Sequence, residues 1–500
     1  MAGRFDTLVR EVSVFDGTGA DPVSADVALE GDHIAEVGAV AGTARDTIDG
    51  RGLALAPGFI DAHTHDDFAA LSRPDMAFKL AGGVTTSVIG NCGFGAAPHP
   101  AAMVMAKMLH PGLDLPAWQG YAGYMRRLEE HPPGANIGVL VGHGTARLAA
   151  MDLAERPPSG AEMAAMKATL AEGLEAGALG MSSGLIYDPG RFAETGELIE
   201  LAAQMKGTGA LYATHMRGES AELLDSVREA IEIGTRAGVP VQISHHKASG
   251  RSAWGLVRES LKLIEAAQQG GLSVHADQYP YTAGSTILSA VFRGGQLRGG
   301  VGDIRAEDVV VASTAGHPEW EGRSLAALAV QMQCTPEQAA ARILAADSGV
   351  TVILHSMCED DVRTVMRHPS TMIGSDGVPT LEGKPHPRLY GSFARVLGRY
   401  ARDEKLFPLA EAVYRMTGFA ATKFGLHGRG FVKPGGFADL VLFDPQAIID
   451  RGTFEDPHRL PDGIHAVFVN GVKAYAGGRA TGARAGRVLR RVVSTSDGRH

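Results

Sequence analysis

From about residue 57 to residue 420 the chain repeats one unit, a short apolar run followed by a helical pattern, and this rhythm constrains the fold more than any other feature. Strand-like runs stand at Val84 to Val88, Ile137 to Val141, Ala178 to Met181, Ala210 to Ala213, Val239 to Ile243, Leu272 to Ala276 and Met372 to Ile373. Helical patterns such as Ala161 to Leu170 and Ala221 to Ile233 separate several of them. With the run Leu53 to Ile60 there are about eight units, the number that closes a parallel sheet into a (β/α)8 TIM barrel. In such a barrel the functional residues sit at the C-terminal ends of the strands.

The two ends of the chain read differently. Residues 1–56 carry short β-rich runs, at Thr7 to Phe15, Ala25 to Leu29 and His33 to Val37. Residues 421–485 answer with Asp439 to Phe443, Ala466 to Gly471 and Val472 to Tyr475. They are expected to pack as one small β-sandwich domain built from both termini, flanking a barrel of residues 57–420. The rhythm breaks at 286–349, an insertion after the seventh strand. It holds a Gly-rich piece from Phe292 to Gly300, a strand at Val309 to Val311 and a helix from Leu325 to Ala345, and it is a candidate lid. Residues 486–500 form a basic tail, expected to fray or to pack as an arm.

Hydrophobic residues make up 45% of the 500 and charged residues 21%, as in an enzyme-sized globular protein. A net charge of -9 without a basic stripe argues against a nucleic-acid partner. Cys92, Cys334 and Cys358 are too few and too scattered for a disulfide framework. Met1 to Asp6 lacks the apolar core of a signal peptide, and no apolar run approaches the roughly 18 residues of a membrane span. The protein is therefore read as cytoplasmic, with neither a membrane nor a nucleic acid as partner.

Chemistry gathers at the strand ends. In Asp61-Ala62-His63-Thr64-His65-Asp66-Asp67 the two histidines are at i and i+2 and share one face of an extended segment. Two converging imidazoles make half of a site for zinc or a neighbouring metal. Cys92 follows the strand ending at Ile89. His215 in Tyr212-Ala213-Thr214-His215 and His245 in Gln242-Ile243-Ser244-His245 each end a strand, and Asp376 follows Ile373-Gly374-Ser375. Six metal-competent side chains at the ends of five different strands would converge on one mouth. His246 alternates away from His245 and reads as a packing or supporting histidine. His143, after Val141-Gly142, could polarise a carbonyl or be structural. His275 and His355 lack a convergent context.

The set His63-Thr64-His65, His215, His245 and Asp376, with its flanking β domain, resembles the amidohydrolase superfamily. Within it, several segments resemble N-acyl-D-amino-acid deacylases, the D-aminoacylase family, over nearly the whole chain: Gly90-Asn91-Cys92-Gly93, His245-His246-Lys247, Tyr279-Pro280-Tyr281-Thr282-Ala283-Gly284-Ser285, Gly374-Ser375-Asp376-Gly377 and Pro385-His386-Pro387-Arg388. The resemblance implies a tight zinc ion held by Cys92, His215 and His245, and a second, weaker position facing His63, His65 and Asp376. Many superfamily members bridge two metals with a modified lysine on the fourth strand. Gly177 to Gly184 holds no lysine, which fits the cysteine-bearing branch.

That resemblance implies a zinc-dependent hydrolase of linear amides that releases a carboxylate and a free D-amino acid, with a small N-acyl amino acid as its partner. Zinc lowers the pKa of bound water toward 7. Asp376 would move the water proton to the leaving amine, with zinc and His143 stabilising the oxyanion. Lys247, Tyr279 and Ser285 would clamp the substrate carboxylate, and Arg388 is a further candidate because guanidinium pairs with carboxylates. A hydrolase of another linear or cyclic amide is the neighbouring reading, and a catalytically silent scaffold is the non-enzyme one. The choice of D over L rests on the resemblance alone.

Overall fold

Eight short, fully buried parallel strands lie at the centre of the computed structural model, which describes residues 4–109, 113–297 and 303–492. They are β1 (Phe59–Asp61), β2 (Val84–Ile89), β3 (Asn136–Gly142), β4 (Gly180–Gly184), β5 (Leu211–His215), β6 (Val241–Ile243), β7 (Val274–Gln278) and β8 (Thr371–Ile373). Neighbours in this order are hydrogen-bonded from β1 to β8. A Thr64–Gly377 bridge and an Ala62 N–H donated to Ile373 O at 3.4 Å bring the last strand back to the first. This is the expected TIM barrel.

The helices between the strands bury one face each against the sheet. In Leu223–Ala237 the buried residues Leu223, Val227, Ala230, Ile233 and Ala237 recur at helical spacing, while arginines and glutamates face out. Gly238, at φ 70, closes that helix in the left-handed conformation that glycine adopts without a Cβ penalty.

The run Leu53 to Ile60, read as one strand, is two. Ala54–Pro57 belongs to the terminal sheet and β1 to the barrel. The break falls at Gly58, where a Cβ would lie 2.2 Å from the Thr85 side chain, so no larger residue could pass from one sheet to the other there. The terminal sheet has nine strands drawn from both ends of the chain. Val9, Val27, Leu29, Leu440 and Phe468 from both ends share one buried cluster, the interior the two-ended domain required.

The inserted unit reaches beyond both ends of the expected 286–349 span. Gly284–Ile287, Thr351–Leu354 and Val309–Ser313 form a three-stranded antiparallel sheet. The expected helix from Leu325 to Ala345 is two, Leu325–Gln331 and Pro336–Ala346. Thr335 caps the second with a reciprocal bond to Gln338, and Pro336 cannot continue the first. The end of the Gly-rich piece, residues 298–300, lies with residues 301–302 outside the described residues.

The basic tail packs as an arm where it is described. Val488–Leu489 pairs in parallel with Ile137–Gly138 of β3, and Arg491 donates to the Thr208 carbonyl at 2.6 Å. Residues 493–500 of that tail lie outside the described residues.

Candidate metal centre

All six expected ligands meet at the C-terminal mouth of the barrel. Cys92 Sγ stands 3.3 Å from His63 Nε2, 3.7 Å from His215 Nδ1 and 3.6 Å from His245 Nε2. Asp376 Oδ1 lies 3.3 Å from His65 Nε2 and 3.5 Å from His63 Nε2. Three triads have their donor atoms within 4.8 Å of one another: Cys92–His215–His245, His63–His65–Cys92 and His63–His245–Asp376. Cys92 therefore belongs to two of them, whereas the sequence reading gave it to one.

These distances fit a zinc ion. Tetrahedral zinc with Zn–S near 2.3 Å and Zn–N near 2.0–2.1 Å has S···N edges of about 3.6 Å. The sulfur-to-imidazole distances within the Cys92–His215–His245 triad, 3.7 and 3.6 Å, match that edge. The donor set of thiolate, imidazole and carboxylate suits zinc, and all six residues are buried.

Backbone strain is concentrated on the same residues. Cys92 at φ 53, His245 at φ 35 and Asp376 at φ 49 are all left-handed without being glycine. Each such residue costs roughly 1–2 kcal/mol, and that cost collects at functional sites. Cys92 can take this position because Gly184, at the end of β4, carries no side chain: a Cβ there would lie 2.0 Å from the Cys92 carbonyl oxygen. The strand that lacks a bridging lysine is thus the strand against which the cysteine loop is packed.

A carboxylate frame surrounds the ligands, and sequence reasoning missed it. Asp277, on β7, lies 3.3 Å from His63 Nδ1 and accepts from the His245 N–H at 2.8 Å and from Gln242 Nε2 at 2.5 Å. Glu219 accepts from Lys247 Nζ at 2.6 Å, and it lies 3.0 Å from His245 Nδ1 and 3.9 Å from His215 Nε2. Behind β1, the buried Lys79 donates to Asp61 at 2.6 Å, Thr64 Oγ1 at 2.8 Å and Ser375 Oγ at 3.1 Å, tying the His63–His65 loop to the Asp376 loop. A signal existed for Lys79 and Asp277, since a charged residue inside an apolar run must have a partner, but none for Glu219, which stands among polar residues in a loop.

The electrostatics follow from this crowding. Burial would raise the Cys92 thiol, but His63, His215 and His245 outweigh it and hold the thiol well below its ordinary value. Burial would also raise Asp376, yet Arg388 and the imidazoles hold its carboxyl well below the usual range. Burial opposes the charge on Lys247, and Glu219 restores it, leaving the ammonium's pKa raised.

The remaining expected residues divide. Tyr279 is buried with its hydroxyl unpartnered, with the Lys247 ammonium 5.8 Å and the Arg388 guanidinium 4.5 Å from its ring centre. Ser285, Lys247 and Tyr279 line one small cavity, of about 30 Å3, with His215, His245 and Asp376. Arg388 is not a free cation: it pairs with Asp376 at 2.8 Å and donates to the Ser285 carbonyl at 3.2 Å. His143 is held elsewhere, its Nε2 2.8 Å from Glu197 Oε1, and Arg147 pairs with the other oxygen at 2.7 Å. His246 bonds Ser260 at 2.8 Å, as a packing histidine does. Tyr187, not singled out in the sequence, packs edge-on against His215 with ring centres 5.1 Å apart.

A (β/α)8 barrel whose strand ends gather a thiolate, imidazoles and a carboxylate defines a metal-binding barrel of hydrolase type. The amidohydrolase family model matches residues 46–261 and 252–475. The chain is 41% identical to a D-aminoacylase of Alcaligenes xylosoxydans xylosoxydans, over 98% of each chain. It is 38% identical to an N-acyl-D-glutamate deacylase of the same organism, over 99% of this chain and 98% of the relative. Among solved structures, an N-acyl-D-glutamate deacylase from Bordetella bronchiseptica, in complex with zinc and a phosphonate inhibitor that mimics the tetrahedral intermediate, superposes with a TM-score of 0.89. It shares 37% identity, with 98% of this chain and 100% of that chain covered. The chain belongs to the amidohydrolase family, in its D-aminoacylase branch.

Proposed function

We propose that the protein is a zinc-dependent hydrolase of N-acyl-D-amino acids, releasing a carboxylate and a free D-amino acid. One observation carries the reading: a buried thiol lies 3.6–3.7 Å from the imidazoles of His215 and His245, beside a cavity lined by an ammonium and an unpartnered phenol. The relatives named as D-aminoacylase and N-acyl-D-glutamate deacylase, alike over nearly the full chain, support it.

Cys92, His215 and His245 would hold the tight zinc ion, and His63, His65 and Asp376 would face a second, weaker position. Bound there, zinc supplies Lewis acidity and an activated water. Asp376 takes a proton at its carboxylate and passes it to the leaving nitrogen, because an unprotonated amine is a poor leaving group. Arg388 keeps Asp376 ionised and aimed through their 2.8 Å pair. Lys247, Tyr279 and Ser285 receive the substrate carboxylate, the Tyr279 hydroxyl supplying a donor with no other partner. His143 we assign to structure, since Glu197 anchors its ring.

The substrate is thus a small molecule. No described helix is long and apolar enough to cross a membrane, and the three cysteines are free, which supports a cytoplasmic setting. The test is a matched pair of N-acetyl-D- and N-acetyl-L-methionine offered to the zinc-loaded protein. Hydrolysis of the D form is expected, and hydrolysis of neither would overturn the reading.

A further inference from the structure

We infer that this site takes N-acyl-D-amino acids with neutral side chains and rejects those with acidic ones. The inference rests on the deacylase reading above and adds the side-chain class to it.

The argument is a count of charge. A substrate of this kind always brings one carboxylate, on its α-carbon, and a glutamyl or aspartyl substrate brings two. Lys247 is the sole lysine or arginine among the described residues lining the cavity, and Glu219 already faces it at 2.6 Å. Arg388 lies against Asp376 at 2.8 Å. Lys247, the cation on the cavity wall, and Arg388 behind Asp376 therefore each already stand opposite a carboxylate, and the Lys247–Tyr279–Ser285 clamp is taken up by the substrate's α-carboxylate. A second carboxylate would meet Glu219 and Asp376 with no unpaired cation, and burying an unpaired charge is costly.

The rest of the wall agrees. Ile186 and Leu354 are buried apolar residues, and Thr286 and Ser356 beside them are uncharged. Arg293, which could have supplied a cation, is turned to the Ile186 carbonyl and faces Asp188 at 3.7 Å. Arg191 is bonded to the same Asp188. Leu354 lies on a strand of the inserted sheet, so that sheet supplies part of the side-chain wall.

The test compares kcat/KM of the zinc-loaded full chain on N-acetyl-D-leucine, N-acetyl-D-methionine, N-acetyl-D-glutamate and N-acetyl-D-aspartate. A discrimination of at least about 100-fold in favour of the neutral pair is expected, as for a site that leaves a buried polar group unpaired. Equal or better turnover of the acidic pair overturns the inference while leaving the deacylase reading intact. Turnover of none of the four overturns both. Leu354→Arg and Ile186→Arg each place a cation on the wall, and the leucine-to-glutamate ratio of the same preparation is read, so partial folding cancels. A fall of about 10-fold or more in that ratio in either variant is expected, one charge-assisted pair being gained. An unchanged ratio in both would overturn the assignment of this wall.

Discussion

Glu219 and Lys247 form an ion pair of 2.6 Å whose carboxylate also lies 3.0 Å from His245 Nδ1, so one acid orients a metal-site imidazole and the lysine ammonium that faces the cavity together. Supporting partners of this kind are worth roughly 10–100-fold in metal affinity. Glu219→Gln is therefore expected to weaken zinc binding by about that factor and to raise KM in the same variant. Zinc competition against a chromogenic chelator, alongside steady-state kinetics, reads both. A variant with unchanged zinc affinity would contradict the linkage.

Asp376 is placed to move a proton, and its depressed pKa keeps it a base at neutral pH. Asp376→Asn should lower kcat by about 10²- to 10⁴-fold, the usual contribution of a positioned acid–base group, with KM little changed. The purified variant should keep one zinc ion, because Cys92, His215 and His245 are untouched. Loss of that ion would move Asp376 into the tight site.

Lys79 is buried against Asp61 and Asp66, with Nζ 2.6 Å from the first and 3.4 Å from the second. Lys79→Met leaves two carboxylates without their counter-ion in the barrel interior. Breaking such a pair costs about 3–5 kcal/mol. Urea unfolding of the variant should show a loss of that size, and a loss near zero would mean that Asp61 and Asp66 find other partners.

The barrel was legible because each strand is a short apolar run punctuated by a helix, and the six candidate ligands because each stands where such a run ends. What the sequence concealed lies in side-chain direction. Arg388 read as a candidate partner of the substrate carboxylate, yet at the start of the helix Arg388–Arg395 it is turned inward onto Asp376. His143 stands at a strand end like the ligands, but Glu197, far along the chain, claims its ring. Glu219 follows His215 by four residues in a loop, where no periodicity exists to reveal what it faces. The run Leu53 to Ile60 hid its break because both halves are equally apolar, and only the closeness of Thr85 to Gly58 marks the change of sheet. The pair of helices in the insertion was foreshadowed by Thr335-Pro336, a start signal inside a continuous apolar pattern.

His275 is buried, with neither ring nitrogen partnered, and burial drives its pKa from 6.5 down to about 3. The unfolded chain takes up this proton below about pH 6.5, and the folded chain does not until near pH 3. Stability from this group is therefore full above pH 6.5 and falls with pH by about 1.4 kcal/mol per unit. His275→Leu should flatten the dependence of unfolding free energy on pH between 4 and 6 by that slope. Parallel curves for the two proteins would contradict the buried neutral imidazole.

The central claim is that one sulfur and two imidazoles, from Cys92, His215 and His245, hold the catalytic zinc, and X-ray absorption at the zinc edge of the loaded protein tests it most directly. The account predicts a single sulfur scatterer at about 2.3 Å with nitrogen or oxygen scatterers at about 2.0–2.1 Å, and loss of the sulfur shell in Cys92→Ala. A shell of nitrogen and oxygen alone in the unaltered protein would contradict it.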